Sequence, residues 1–334
     1  MDAMALRAPG GLDHLELKAI PDPAQPGPGE ILVAIRASSL NFHDLGVVAG
    51  WIPTADGRIP LSDGAGEVIA VGDGVGEYRV GDHVLSTFFR NWPSGRPPIN
   101  FAQVPGDGCD GYARGAVVAP ASAFTLAPEG YSHTEAATLT CAGLTAWRAL
   151  FRDGGLCPGE TVLVQGTGGV SIFALQFAKM AGARVIATTS SPDKQDRLRA
   201  LGADLVIDSR AMPEWSAAVL DATGGVGVDH VIEVGGAASW DQSIASTRFG
   251  GHVAVIGALS GLEGGASPAA ILFRQIRLQG LIVGSREDQV AMIAAIDATK
   301  VRPVIDRHFP LSELADAFRH LQGGRHVGKI VIDI

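Results

Sequence analysis

The stretch Val162-Leu163-Val164-Gln165-Gly166-Thr167-Gly168-Gly169-Val170-Ser171 constrains the fold of this chain more than any other. A short β-branched run breaks into a glycine-rich turn, and an almost wholly apolar helical pattern follows from Val170 to Ala181. Glycines at such a turn let the backbone reverse tightly and bring helix N-terminal N–H groups close to an anion. This is how a dinucleotide pyrophosphate is held. Gly166, Thr167, Gly168, Gly169 and Val170 are therefore expected to bind a cofactor. Ser171 stands at the third glycine position, which predicts slightly looser helix–strand packing with phosphate approach left open.

The surrounding pattern fits such a turn. Apolar runs at Val162–Gln165, Arg184–Thr189, Leu205–Asp208, His230–Val234, His252–Ile256 and Leu278–Val283 predict strands buried on both faces. Helices over 170–181 and 193–201 supply crossovers, so the expected fold is α/β, with a Rossmann doubly wound parallel sheet. Backbone at Val234, Gly235, Ile256, Gly257, Gly284 and Ser285 follows those strands and is expected at the sheet's carboxyl edge, where such folds bind ligands.

The second strand bears on which nicotinamide binds. An NAD(H) site usually carries an acid about 20 residues beyond the glycines to take the ribose hydroxyls. Here the strand ends Thr188-Thr189-Ser190, and Ser191 then caps a helix with Pro192 at its first position. Lys194 and Arg197 lie in that first turn and a half. Ser190, Lys194 and a helix terminus suit a 2′-phosphate, so NADP(H) is favoured over NAD(H). Asp193 dissents, and complementing the helix dipole is its alternative role.

At 334 residues the chain is long enough for two domains. A net charge of −9, without any Lys/Arg run, argues against nucleic acid or an anionic membrane as a partner. Cys109, Cys141 and Cys157 include no CxxC pair, and the acidic start Met1-Asp2 does not resemble a signal peptide. A cytoplasmic protein acting on a small molecule is expected. Residues before about 120 read as β-rich, with short runs at 31–35, 67–71, 83–85 and 116–118 between Pro/Gly turns. A helical stretch is expected over 134–150. An amphipathic helix capped by Ser312 (312–321) and a last strand (329–334) end the chain.

Ser62-Asp63-Gly64-Ala65-Gly66-Glu67-Val68, Val80-Gly81-Asp82-His83-Val84, Ala142-Gly143-Leu144-Thr145-Ala146-Trp147, the glycine turn and Gly202-Ala203-Asp204 together resemble the medium-chain dehydrogenase/reductase superfamily. The resemblance implies a GroES-like β-rich domain (1–123), a Rossmann NADP(H)-binding domain (124–284) and a return segment completing the first domain (285–334). It also implies that Asn41 and Thr145 lie beside the nicotinamide and that Lys329 reaches the pyrophosphate. An exposed lysine at a strand start is the alternative for Lys329, and loop-stabilising or helix-interior roles for Asn41 and Thr145.

Departures from the family pattern matter as much. The positions that hold the catalytic zinc in the family's alcohol dehydrogenases resemble Asn41, Ser62 and Cys141 here. Asn and Ser are poor zinc ligands, so no zinc is expected. The four-cysteine lobe is replaced by Phe88–Gly111, which has one cysteine, Cys109. That segment is expected either to cover the substrate or to be a plain surface excursion.

Without a Lewis acid, hydride transfer favours acceptors that delocalise charge themselves, such as quinones and α,β-unsaturated carbonyls. The Ser38-Ser39-Leu40-Asn41 segment resembles the zinc-free quinone oxidoreductase and enone reductase branch. Asn41 is the first candidate catalytic residue, either donating to an oxyanion or bonding the cofactor ribose. His43 is the candidate acid, with a structural histidine as its alternative. Asp44 and Asp63 are expected as structural partners. The alternatives are a zinc-free alcohol dehydrogenase or carbonyl reductase, and an NADPH-binding protein that has lost turnover. A homodimer through the 278–283 strand is expected by analogy.

Overall fold

The computed structural model describes residues 1–97, 102–261, 263–264 and 267–334. The chain forms two units: Met1–Leu144 with Gly284–Ile334, and Thr145–Val283.

The first unit opens with the pair β1 (Asp2–Leu6) and β2 (Leu15–Ala19), then β3 (Glu30–Ser39), β4 (Ala65–Val71), β5 (His83–Ser86), β6 (Ala116–Pro120) and β7 (Phe124–Leu126). A short helix, α1 (Phe42–Val48), leaves the end of β3. No helical period marks it in the sequence. The second unit carries β8 (Thr161–Gln165), β9 (Arg184–Thr189), β10 (Leu205–Asp208), β11 (Val228–Glu233), β12 (Thr247–Val255) and β13 (Arg277–Gly280). β14 (Ile305–Pro310) and β15 (Lys329–Asp333) then complete the sheet of the first unit, whose order is β14-β15-β3-β4-β5-β7, with β6 also on β3.

Close backbone approach fixes the centre of that sheet. Gly66 faces Ile35 across the β3–β4 ladder, and a Cβ there would lie 1.9 Å from the Ala34 carbonyl oxygen. Gly64 packs on Tyr112, whose Cγ would be 2.4 Å from a Cβ. These contacts explain the glycines of the Ser62–Val68 segment. Two buried clusters flank the sheet, one around Leu45, Leu61, Phe318 and Ile330, the other around Ile35, Val68, Tyr112 and Phe124.

In the second unit the order β10-β9-β8-β11-β12-β13 is parallel throughout, the doubly wound order expected. It reverses between β8 and β11. Leu163, Ile186, Ile207, Val231 and Val253 bury its centre. The edge strand stops at Gly280, short of the expected Val283, which takes φ 49°. Among the described residues, no helix is long and apolar enough to cross a membrane.

Two expectations shift. The helical stretch begins at a capping box, with Glu135 N donating to Ser132 Oγ at 3.2 Å. It is then interrupted by π-helical turns at Leu139–Gly143 and Arg148–Arg152. Its first segment, His133–Ala137, packs on β3 and β5, and the first compact unit runs to Leu144. Ser312 does not cap the last helix. Pro310 leads instead into a 3-10 turn, Leu311–Glu313, before the helix Leu314–Gln322.

The Gly66→Ala substitution is expected to cost about 3 kcal/mol or more, because the obstructing atom belongs to the backbone of a central strand. Thermal or urea unfolding checks it.

Candidate active site

In the first unit the chain leaves β3 at Leu40 and starts α1 with Asn41 as its N-cap. Asp44 clasps this corner: Asn41 N donates to Asp44 Oδ2 at 2.9 Å, and Ser62 N donates to Asp44 Oδ1 at 2.8 Å. Asn41 is thereby held against Ser62, and its Nδ2 donates to Ser62 Oγ at 3.2 Å.

The cation at this corner is Lys329. It is buried, and its Nζ donates to Leu40 O at 2.6 Å and to Asn41 Oδ1 at 2.5 Å, with Asp63 Oδ2 at 3.5 Å. An ammonium has no acceptor, so the amide atom facing it is the oxygen, which fixes the orientation of Asn41. Asp63 also accepts from Ser39 Oγ at 2.6 Å. Burial pushes its carboxyl up, Lys329 pulls it down and Asp44 pushes it up again, to about 6. Its ammonium is turned into this buried cluster, so Lys329 is not the exposed lysine at a strand start that was the alternative. Asp44 and Asp63 are the structural partners expected.

His43 lies in the first turn of α1. Its Nε2 is 3.4 Å from Asp107 Oδ2, its Nδ1 is 3.8 Å from Asp44 Oδ1, and its ring meets Phe88 edge-on. Burial alone would lower its pKa. The hydrogen bond to Asp107 and the nearby negative charge of Asp44 outweigh this and raise it to about 9. Asp107 is held in turn, its carbonyl accepting from Thr54 Oγ1 at 3.0 Å. Phe88, Phe89 and Trp92 are buried, so this part of the 88–111 segment is packed and does not stand free as a cover. Residues 98–101 of that segment lie outside the described residues. Cys141 is half-buried.

In the second unit, Gly166 takes φ 71° and its N–H donates to Thr188 O at 2.7 Å, turning the chain out of β8. Gly168 is the N-cap of α4 (Gly169–Met180) with an ordinary φ of −68°. A Cβ at Gly166 or Gly168 would meet nothing within 4 Å. Neither backbone conformation nor packing therefore requires glycine at 168, and the open space over it fits the approach of a phosphate. Ser171 is explained too: its Oγ donates to Gln165 O at 2.6 Å, tying α4 to the end of β8. The expected loosening is replaced by a hydrogen bond. Lys194 Nζ donates to Thr167 Oγ1 at 2.9 Å, so the second-strand lysine and the glycine turn are neighbours. Ser190 is exposed beside them and Thr145 is buried in its short helix.

Five edge positions have other duties. The Gly235 N–H donates to Glu233 Oε1 at 2.7 Å, and its carbonyl accepts from Ser260 N and Oγ at 2.8 and 2.7 Å. Its backbone polar groups are thus already engaged. Gly257 is glycine because a Cβ would lie 2.5 Å from Val234 O. Ile256 N donates to Glu233 O at 2.9 Å. Gly284 and Ser285 belong to the first unit, where Ser285 caps the helix Arg286–Thr299 and Gly284 packs on Leu144.

Comparison with known proteins agrees with this architecture. Residues 27–129 match the alcohol dehydrogenase GroES-like domain and residues 169–298 the zinc-binding dehydrogenase family. A zinc-type alcohol dehydrogenase-like protein of Schizosaccharomyces pombe is 39% identical over 97% of this chain and 96% of its own length. The chain belongs to the medium-chain dehydrogenase/reductase superfamily. A candidate alcohol dehydrogenase from Sinorhizobium meliloti superposes with a TM-score of 0.94 at 38% identity, covering 100% of this chain and 98% of that one. An NAD-dependent alcohol dehydrogenase gives 0.91 at 34%, and a mycobacterial protein complexed with NADPH gives 0.83 at 28%, each covering 100% of both chains.

As a medium-chain oxidoreductase the protein shows two groups that sequence reading passed over. Asp107 sits 64 residues from the histidine it pairs with, and Glu233 ends its strand directly after Val231 and Ile232. Neither has a local pattern to mark it.

Lys329→Met is expected to cost about 3–5 kcal/mol, since it leaves Asp63 buried without its cation. Adding Asp63→Asn is expected to recover a large part, so that the two changes are non-additive in denaturant unfolding.

Proposed function

We propose that this protein is a zinc-independent, NADPH-dependent reductase that delivers hydride to a quinone or an α,β-unsaturated carbonyl. The observation that carries the reading is the Asn41–Ser62–Lys329 corner. A catalytic zinc needs three anionic or imidazole ligands. This corner offers an amide and a hydroxyl, with an ammonium bonded to the amide oxygen, and such a donor set does not fit the ion. The acceptor must then carry its own activation.

The open turn at Gly166–Val170 suits the pyrophosphate of NADPH, and Lys194 with Ser190 suits its 2′-phosphate. Thr145 and Lys194 are retained as cofactor residues in this reading. Bound NADPH supplies the hydride. Lys329 fixes Asn41 Oδ1, leaving Nδ2 as the end of the amide that donates to a developing oxyanion. His43, kept as an imidazolium by Asp107 and Asp44, gives the proton that completes reduction and recovers it from water.

The same reading includes a homodimer. β13 is an edge strand, and Leu272 and Phe273 beside it are 70% and 75% exposed. Light scattering that finds only monomer would remove this part.

Metal analysis of the purified protein is expected to find no stoichiometric zinc. Acceptor assays are expected to show turnover with a quinone or enone and none with a primary alcohol. Stoichiometric zinc with alcohol oxidation would overturn the proposal, and tighter NADH than NADPH binding would overturn the cofactor preference.

His43→Gln is expected to lower turnover about 100-fold with NADPH binding intact. The raised pKa means that the protonated, active form persists from low pH up to about 9 and is lost as pH rises through that value. Asp107→Asn is expected to move this alkaline limb of the pH–rate profile downward.

A further inference from the structure

Glu233 ends β11 with its side chain fully buried. Its Oε1 accepts from Gly235 N at 2.7 Å, Gly236 N at 2.9 Å and Ser239 Oγ at 2.6 Å. Its Oε2 accepts from Gln165 Nε2 at 2.8 Å and from Ser243 Oγ. All five donors are neutral. A buried carboxylate without an ion pair is costly to keep unless such donors surround it, and losing it would leave the two backbone N–H groups without their acceptor.

Its place in the sheet matters. β8 and β11 are the neighbours between which the strand order reverses, and Glu233 lies one step beyond the Ile232–Val164 pair, beside Gln165. Open α/β sheets bind ligands at this switch point. Gln165 immediately precedes Gly166. Its Nε2 also contacts Ser243 Oγ at 2.6 Å, and its carbonyl holds Ser171 Oγ at 2.6 Å. A continuous chain of hydrogen bonds therefore runs from Gly236 through Glu233 and Gln165 to the first turn of α4. Gly235 serves the same network, because a Cβ there would lie 2.3 Å from Ser239 Oγ and 3.1 Å from Gln165 Oε1.

We infer that Glu233 is a positioning residue for the cofactor turn. It fixes the Gln165 side chain on one strand and the 234–239 loop on the next, so both rims of the switch point hold one geometry. The inference rests on the nicotinamide-binding reading above and goes beyond it by naming what holds that site in shape.

The test is direct titration of NADPH by fluorescence on wild-type protein, Gln165→Met, Glu233→Gln and the double variant, with thermal unfolding alongside. Gln165→Met removes the Nε2 bonds to Glu233 and Ser243 and leaves the bonds from Glu233 to the 234–239 loop in place. It is expected to raise the NADPH Kd about tenfold while kcat at saturating cofactor stays within twofold and the protein unfolds cooperatively. The double variant is expected to bind no more weakly than the weaker-binding single variant. A residue that serves stability alone would lower Tm and leave the Kd of the folded protein unchanged. Should Glu233→Gln fail to fold, Gln165→Met still decides. Single variants that bind within twofold of wild type, or effects that multiply in the double variant, overturn the inference and leave the cofactor reading intact. Wild-type protein that binds neither NADPH nor NADH overturns both.

Discussion

The Lys329 ammonium, buried against Leu40 O, Asn41 Oδ1 and Asp63 Oδ2, is the interaction around which the first unit's chemistry is arranged. It reaches from the last strand to the corner where β3 gives way to α1, residues almost 290 positions apart in sequence. A buried cation is costly to desolvate, and this one is kept by charge-assisted hydrogen bonds to a carbonyl and an amide oxygen and by the nearby carboxylate. It sets which way the Asn41 amide points.

Two of the buried acids, Asp63 and Glu233, are held by different means. Asp63 lies beside a cation and a like-charged neighbour, and its affinity for a proton rises all the same, because burial is the largest influence on it. Glu233 is surrounded by neutral donors, two of them backbone N–H groups of a glycine pair. The first device orients a side chain. The second holds loop backbone, where a fixed acceptor outperforms a mobile counter-ion because N–H groups have direction.

How much of the candidate site could be read in advance depended on distance along the chain. Gly166–Val170 was legible because the strand, turn and helix that give it meaning are adjacent in sequence. Ser171 looked like a defect, since the side-chain bond that justifies it becomes visible only once the helix is docked on its strand. Gly235 and Gly257 were expected only as backbone at the sheet's carboxyl edge. Their hydrogens make room for Ser239 and for the Val234 carbonyl, contacts that sequence does not reveal. Lys329 was placed by its likeness to a family position, but its direction follows from a buried group of oxygen atoms supplied by two separate segments, Leu40–Asn41 and Asp63.

The sequence by itself determined the parallel sheet, the glycine turn that follows its first strand and the glycine-bearing strand pair of the first unit. Each is written in local periodicity or in the identity of single residues. Tertiary structure alone decided that His43 faces Asp107, that Lys329 orients Asn41, and that Glu233 ties the glycine turn to the loop after the neighbouring strand. These are pairings between segments far apart in the chain, and their strength comes from burial. Burial removes the water that would otherwise satisfy each group, and only the folded chain creates it.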